Sequence, residues 1–263
     1  MNILEKIVEA KKAEVAHRKV EIPVEELKSY DGYGRKCNPL KAALLNPGST
    51  GIIAEFKKKS PSRGVINSAA KVEEVTKEYV NAGATGLSVL TDYEYFGGTL
   101  NDLAIARKAN PCIPILRKDF IIDSYQVVEA KAFGADLILL IAACLEKLMA
   151  ETLARKAKTL GMEVLMEVHN MDELGKINDF IDMVGVNNRN LENMEVNVAN
   201  SQKLATHIPE KYIKISESGL KNAETIRCLK QKGYKGFLIG ETFMQTESPG
   251  GACREFISAL LFR

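Results

Sequence analysis

From Gly51 onward, short β-rich apolar runs alternate with longer stretches whose apolar residues recur every three or four positions, the periods of buried strand and amphipathic helix. The runs cover residues 52–56, 86–91, 113–117, 137–141, 163–168, 183–187, 212–216 and 236–239. Most are followed by helical patterns, for example over 72–81, 123–132, 145–160 and 222–232. The pairs Gly83-Ala84, Gly134-Ala135 and Lys232-Gly233 stand where helices should stop, as C-caps before the next strand. Eight such units predict an α/β fold, a closed (β/α)8 TIM barrel. A doubly wound open sheet is the alternative, but no G-x-G-x-x-G follows the first run to support it.

Ahead of the alternation, residues 3–18 place apolar Leu4, Ile7, Val8 and Val15 among Glu5, Glu9, Lys11, Lys12 and Glu14, the spacing of an amphipathic helix that Ile22-Pro23 ends. Residues 28–50 are turn-rich, with one short helix at 40–45. A lone helix cannot bury its own apolar face. Residues 1–50 therefore read as an N-terminal helical extension of a single domain spanning 1–263, expected to pack over the barrel mouth.

Length agrees with this: 263 residues is close to the roughly 250 of one such barrel. Lys and Arg total 36 against 34 Asp and Glu, a net charge of +2. That balance argues against a partner recognised by bulk charge, so neither nucleic acid nor an anionic membrane is expected. The longest apolar run, 137–145, is well short of the ~20 residues that cross a bilayer, and the first residues lack a signal-peptide core. A cytoplasmic protein is the expectation. Cys37, Cys112, Cys144, Cys228 and Cys253 are scattered with no C-x-x-C pair, which fits reduced thiols and leaves no legible zinc site. His17, His169 and His207 lie far apart and form no catalytic motif. Chemistry should rest on carboxylates and amines.

In a barrel the carboxyl ends of all the strands converge on one mouth. The first run leads into Glu55-Phe56-Lys57-Lys58-Lys59-Ser60, which offers a carboxylate, an ammonium on the same pleat face and a hydroxyl, though a lysine run also reads as a solvated basic loop. Lys118, at the end of the third run, would arrive protonated and able to donate to a carbonyl oxygen, or else form a structural ion pair with Asp119 or Glu55. Glu167 sits inside an apolar strand, where a bare carboxylate is costly. It should face Lys118 or Lys57, with its pKa raised toward that of a working base, or serve as an ion-pair partner alone. Asn187-Asn188-Arg189 and Glu217 end the sixth and seventh runs, and Ser218-Gly219 and Gly240-Glu241 follow the last two, where this fold recurrently binds phosphate through backbone N–H groups. Phe96 and Phe120 could wall an aromatic ligand or belong to the core.

Together, Glu55-x-Lys57-x-x-Ser60-Pro61-Ser62-x-Gly64, Leu90-Thr91-Asp92 with Tyr95-Phe96-x-Gly98, Leu116-Arg117-Lys118-Asp119-Phe120, Glu167, Gly185-Val186-Asn187-Asn188-Arg189, Ser216-Glu217-Ser218-Gly219 and Leu238-Ile239-Gly240-Glu241 closely resemble the indole-3-glycerol-phosphate synthase family of tryptophan biosynthesis. The resemblance spans nearly the whole chain. It implies ring closure, decarboxylation and dehydration of 1-(2-carboxyphenylamino)-1-deoxyribulose 5-phosphate, with no cofactor or metal. Carried over, Lys118 is the general acid, Glu167 acts in loss of water and Lys57 clamps the substrate carboxylate. Glu55, Asn187, Arg189 and Glu217 orient hydroxyls and catalytic groups, while Ser60, Ser218, Gly219, Gly240 and Glu241 line the phosphate. Phe56, Gly97 and Thr242 depart mildly from the family pattern. A sibling such as phosphoribosylanthranilate isomerase shares the anion site but gives no reason for the extension or for Lys57 beside Lys118. The oligomeric state is not legible; a monomer is compatible.

Overall fold

A computed structural model of the chain describes residues 3–191 and 193–261, so the outermost residues of the expected 1–263 domain lie outside the described residues. Eight parallel strands close a barrel: β1 (Ile52–Phe56), β2 (Gly86–Leu90), β3 (Ile115–Lys118), β4 (Leu137–Ile141), β5 (Glu163–Val168), β6 (Met183–Asn187), β7 (Ile213–Glu217) and β8 (Tyr234–Ile239). Closure, with β1 paired to both β2 and β8, decides against the open doubly wound sheet. The expected strand positions hold within two residues. The third starts at Ile115 instead of 113 because Pro114 has no N–H to give to a ladder and only its carbonyl is used, accepting from Leu87.

The strand period of two sorts side chains into two cores. Ile52, Ala54 and Phe56 face the surrounding helices, whereas Ile53, Leu116, Leu139, Leu165, Met183, Ile215 and Leu238 fill the barrel. The helix Leu40–Leu45 plugs the barrel floor with Leu40 and Leu44, each worth about 2 kcal/mol of burial. A Cβ on Gly86 would strike Leu40 at 2.8 Å, and one on Gly236 would strike Ile215 at 2.8 Å beside Leu44, so glycines there leave room for the plug. The same inward register, carried to the carboxyl ends, delivers Glu55, Lys118, Glu167, Asn187 and Glu217 to the mouth.

The N-terminal helix α1 (Ile3–Glu21) lies at that mouth. Its buried face is Ile7, Lys11 and Val15, so a lysine occupies a place in the stripe that periodicity assigns to apolar residues. Lys11 is 1% exposed and pairs with Asp92 (2.9 Å) and Asp119 (3.0 Å), which follow β2 and β3. Further along, the Tyr125 hydroxyl donates to the carbonyls of Arg18 (3.0 Å) and Ile22 (2.9 Å), tying the helix end to the helix Ser124–Ala132. The crossovers after β1, β2, β3 and β4 are helices α2 (Val72–Asn81), α3 (Leu100–Ala109), α4 (Ser124–Ala132) and α5 (Lys147–Thr159). Between β5 and β6 the crossover is a 3-10 segment, Asp172–Lys176. Gly83, Gly134 and Gly233 have φ of 97°, 92° and 88°, the left-handed stops expected of those pairs. Among the described residues no helix is long and apolar enough to cross a membrane.

Candidate active site

The residues assigned from sequence to catalysis and substrate binding all line one cavity of about 650 Å³ at the carboxyl ends of the strands, with Ile3, Leu4 and Ile7 of α1 forming part of its wall. At its centre Lys118 Nζ donates to Glu167 Oε2 (2.6 Å) and Glu217 Oε2 (3.2 Å). Asp119, offered by sequence as the partner of Lys118, points away to Lys11 and Arg117. Burial works against the Lys118 ammonium, but Glu167, Glu217 and Glu55 outweigh it and raise its pKa well above the lysine range.

The two carboxylates on Lys118 differ, and the difference corrects the sequence reading. Glu167 was expected to have a raised pKa. Burial alone would do that, yet Lys118 and His169 reverse it and hold Glu167 well below the usual carboxylate range. Its Oε1 also accepts from Asn187 Nδ2 at 2.9 Å. Glu217 is the raised one: burial pushes it to about 7, Lys118 offsets this only in part, and Glu167 adds repulsion. Geometry gives the same order, because Glu217 Oε1 is buried with no hydrogen-bond partner among the described residues. Gly185 makes the space: a Cβ there would lie 2.1 Å from that oxygen.

On the adjoining wall Lys57 Nζ pairs with Glu55 Oε1 at 2.8 Å. The basic run splits once the strand has ended at Phe56. Lys57 enters the cavity, while Lys58 turns out to Asp102 (3.0 Å) and Lys59 lies over the Tyr93 ring (5.8 Å). Phe96 and Phe120 stand as a tilted pair with centroids 6.1 Å apart. Across the cavity Ser60, Ser218, Gly219, Gly240 and Glu241 gather. Ser218 holds a left-handed φ of 67°, followed by Gly219 at 74°, an arrangement that costs energy at a serine. The Glu241 side chain is engaged with Arg63 (3.0 Å) and Arg189 (3.4 Å), and Arg189 also donates to the carbonyl of Met194 (3.1 Å).

Lys11, His169 and Glu173 were not selected from sequence. The signal for Lys11 was its place four residues from both Ile7 and Val15. For His169 it was a strand exit two residues after Glu167, hence the same pleat face. His169 Nε2 lies 3.3 Å from Glu167 Oε1, and its Nδ1 meets Glu173 Oε2 at 3.1 Å.

Fold and site together define a (β/α)8-barrel enzyme with a buried amine–carboxylate cluster in a mouth partly walled by α1. The indole-3-glycerol phosphate synthase family model matches residues 4–256. A relative from Bacteroides thetaiotaomicron, named indole-3-glycerol phosphate synthase, is 45% identical over 259 residues, 98% of this chain and 99% of that one. Another of the same name from Koribacter versatilis is 44% identical over 220 residues, 82% and 84% of the two chains. The chain belongs to the indole-3-glycerol phosphate synthase family, carboxy-lyases of tryptophan biosynthesis. Solved structures share the fold at low identity. 3-Hexulose-6-phosphate synthase from Salmonella typhimurium superposes with a TM-score of 0.63 at 13% identity, covering 80% of this chain and 98% of that one. A chain of the tryptophan synthase complex from Pyrococcus furiosus gives 0.59 at 14%, covering 81% and 98%.

Proposed function

We propose that this mouth converts 1-(2-carboxyphenylamino)-1-deoxyribulose 5-phosphate to indole-3-glycerol phosphate, carbon dioxide and water, with the roles divided as follows. Lys118 protonates the ribulose carbonyl oxygen as the ring carbon bearing the carboxylate attacks that carbon, so the new C–C bond forms while the carbonyl becomes a hydroxyl. Lys57, steadied by Glu55, holds the departing carboxylate, whose loss restores the benzene ring. Glu167 then takes the proton whose removal, with departure of the hydroxyl as water, completes the indole. Its ionised state suits a base. Asn187 orients Glu167, and Glu217 with Arg189 positions the chain hydroxyls. The backbone around Ser218-Gly219 and Gly240-Glu241, with Ser60, receives the phosphate, and Phe96 and Phe120 hold the aromatic end, so that the reacting carbons are forced together.

The observation that carries the reading is Lys118, an ammonium gripped by two carboxylates in a cavity also lined by Phe96 and Phe120 and by the loops at Ser218-Gly219 and Gly240-Glu241. An ammonium there activates the carbonyl, so the chemistry calls for neither cofactor nor metal, and the reading places a cytoplasmic enzyme acting on a small phosphorylated substrate. In the test, Lys118→Ala should abolish ring closure while a phosphate-bearing substrate analogue still binds with an affinity within a few-fold. Wild-type turnover by the variant would remove Lys118 from the acid role.

A further inference from the structure

His169 belongs to no motif, yet it sits behind the base. Its side chain is 11% exposed and bridges two carboxylates, with Nε2 3.3 Å from Glu167 Oε1 and Nδ1 3.1 Å from Glu173 Oε2. Glu173 is itself fixed. Its Oε2 also accepts the His169 backbone N–H (2.7 Å), its Oε1 accepts Asn170 Nδ2 (3.0 Å), and its own N–H donates to Asn170 Oδ1 (3.0 Å). The His169 carbonyl accepts Asn200 Nδ2 (2.9 Å), so backbone and ring are held from both sides. Nε2 is buried and sits at ion-pair distance from Glu167 Oε1 without the alignment of a hydrogen bond, and it has no hydrogen-bond partner among the described residues.

The charges around the ring favour a cation. Glu167 faces it from β5 and Glu173 from the 3-10 segment. Lys176 turns aside to the carbonyl of Ala142 (2.8 Å). Cys144, within reach of the same two carboxylates, has its thiol pushed by burial to about 12 and stays neutral. Asn187 and Asn200 carry no charge.

We propose that His169 is a positioning residue of this site: clamped by Glu173, its ring cation fixes Glu167 through Oε1, so that Oε2 is left to Lys118 and the substrate. The inference rests on the ring-closing reading above. Two cations then flank Glu167, one on each oxygen, and the carboxylate enters the reaction ionised even where burial would otherwise protonate it. Burial pulls the imidazole down, but the two carboxylates overcome this and carry it from 6.5 to about 9, so the cation persists across the physiological range.

The protein has three histidines, which makes the ring directly observable by nitrogen NMR of the full chain with labelled imidazoles. His169 is expected to stay doubly protonated through pH 8 and to titrate near 9. Glu173→Gln, which leaves the ring in place, should lower that midpoint by more than one pH unit. In kinetics, His169→Gln should reduce kcat about tenfold or more, change KM less than about threefold, and move the acid limb of the kcat profile to higher pH, because Glu167 loses a neighbouring cation. Glu173→Gln should move it the same way by less.

A His169 midpoint near 6.5, or one that ignores Glu173→Gln, would overturn the inference. So would an acid limb unmoved in both variants. Should His169→Gln fail to fold, the wild-type titration and Glu173→Gln still decide. If the wild-type protein leaves the substrate untouched while His169 titrates as expected, it is the ring-closing reading that fails.

Discussion

Replacing Lys11 with methionine keeps the length and most of the volume of a buried side chain but removes the charge that joins α1 to the mouth. In the native protein its Nζ reaches Asp92 and Asp119 at 2.9 and 3.0 Å, with all three side chains nearly or fully buried. Removing one member of a buried pair typically costs 3–5 kcal/mol, because the partner's charge is left uncompensated. Here both carboxylates keep other partners. Asp119 retains Arg117 (3.0 Å) and the Phe120 N–H (2.8 Å), and Asp92 retains the Tyr95 N–H (2.8 Å). The loss should therefore fall at the lower end, about 3 kcal/mol. Because Lys11 holds one helix to the barrel, the change should appear first as local opening. Amide hydrogen exchange within α1 of Lys11→Met should accelerate about a hundredfold, with the strands little affected. Since Ile3, Leu4 and Ile7 line the cavity, KM should rise more than kcat falls. Unchanged α1 exchange would refute the latch; faster exchange with an unchanged KM would show that α1 is structural only.

Deleting residues 1–45 should go further on affinity, and it also removes the Leu40–Leu45 plug, so a stability loss beyond that of Lys11→Met is expected in urea titration. Glu167→Gln should let carbon dioxide escape while a hydroxylated, not yet aromatic intermediate accumulates, whereas Glu55→Gln should slow every step together through a poorly placed Lys57; quenched single-turnover product analysis separates them. Carbon dioxide release blocked as fully in Glu167→Gln as in Lys118→Ala would place Glu167 at or before ring closure. For stability, His169 has a folded pKa near 9 against an ordinary 6.5. Its contribution is complete below about 6.5 and is lost as pH rises through 9, so the difference in unfolding free energy between wild type and His169→Gln should shrink over that window. A difference that instead grows would contradict the carboxylate clamp.

The barrel was legible because β-strand burial has a short period that local sequence carries, and the positive-φ glycines mark where helices stop. The strand-end residues were legible for the same reason: inward register, counted from Ile53 or Leu116, predicts where Glu55 and Lys118 emerge. What stayed hidden depends on partners distant in sequence. Lys11 reads as a solvated lysine until Asp92 and Asp119 close on it. Glu167 and Glu217 look alike as strand-end glutamates, and only three-dimensional neighbours separate them: Asn187 and His169 attend Glu167, while one Glu217 oxygen has no hydrogen-bond partner among the described residues. The raised pKa falls to Glu217 and not Glu167 because Lys118, the neighbour expected from sequence, is joined at Glu167 by His169, which is not expected. The 3-10 segment after β5 likewise takes its value from Glu173, whose grip on His169 no periodicity announces.

If this mouth performs ring closure, both carbon dioxide and water must leave the substrate. Incubating the full chain with 1-(2-carboxyphenylamino)-1-deoxyribulose 5-phosphate, without added metal or cofactor, while recording indole fluorescence and released carbon dioxide together tests it most directly. Both signals should rise in equal molar amounts. Consumption of substrate with either product missing, or a strict requirement for an added metal, would contradict it.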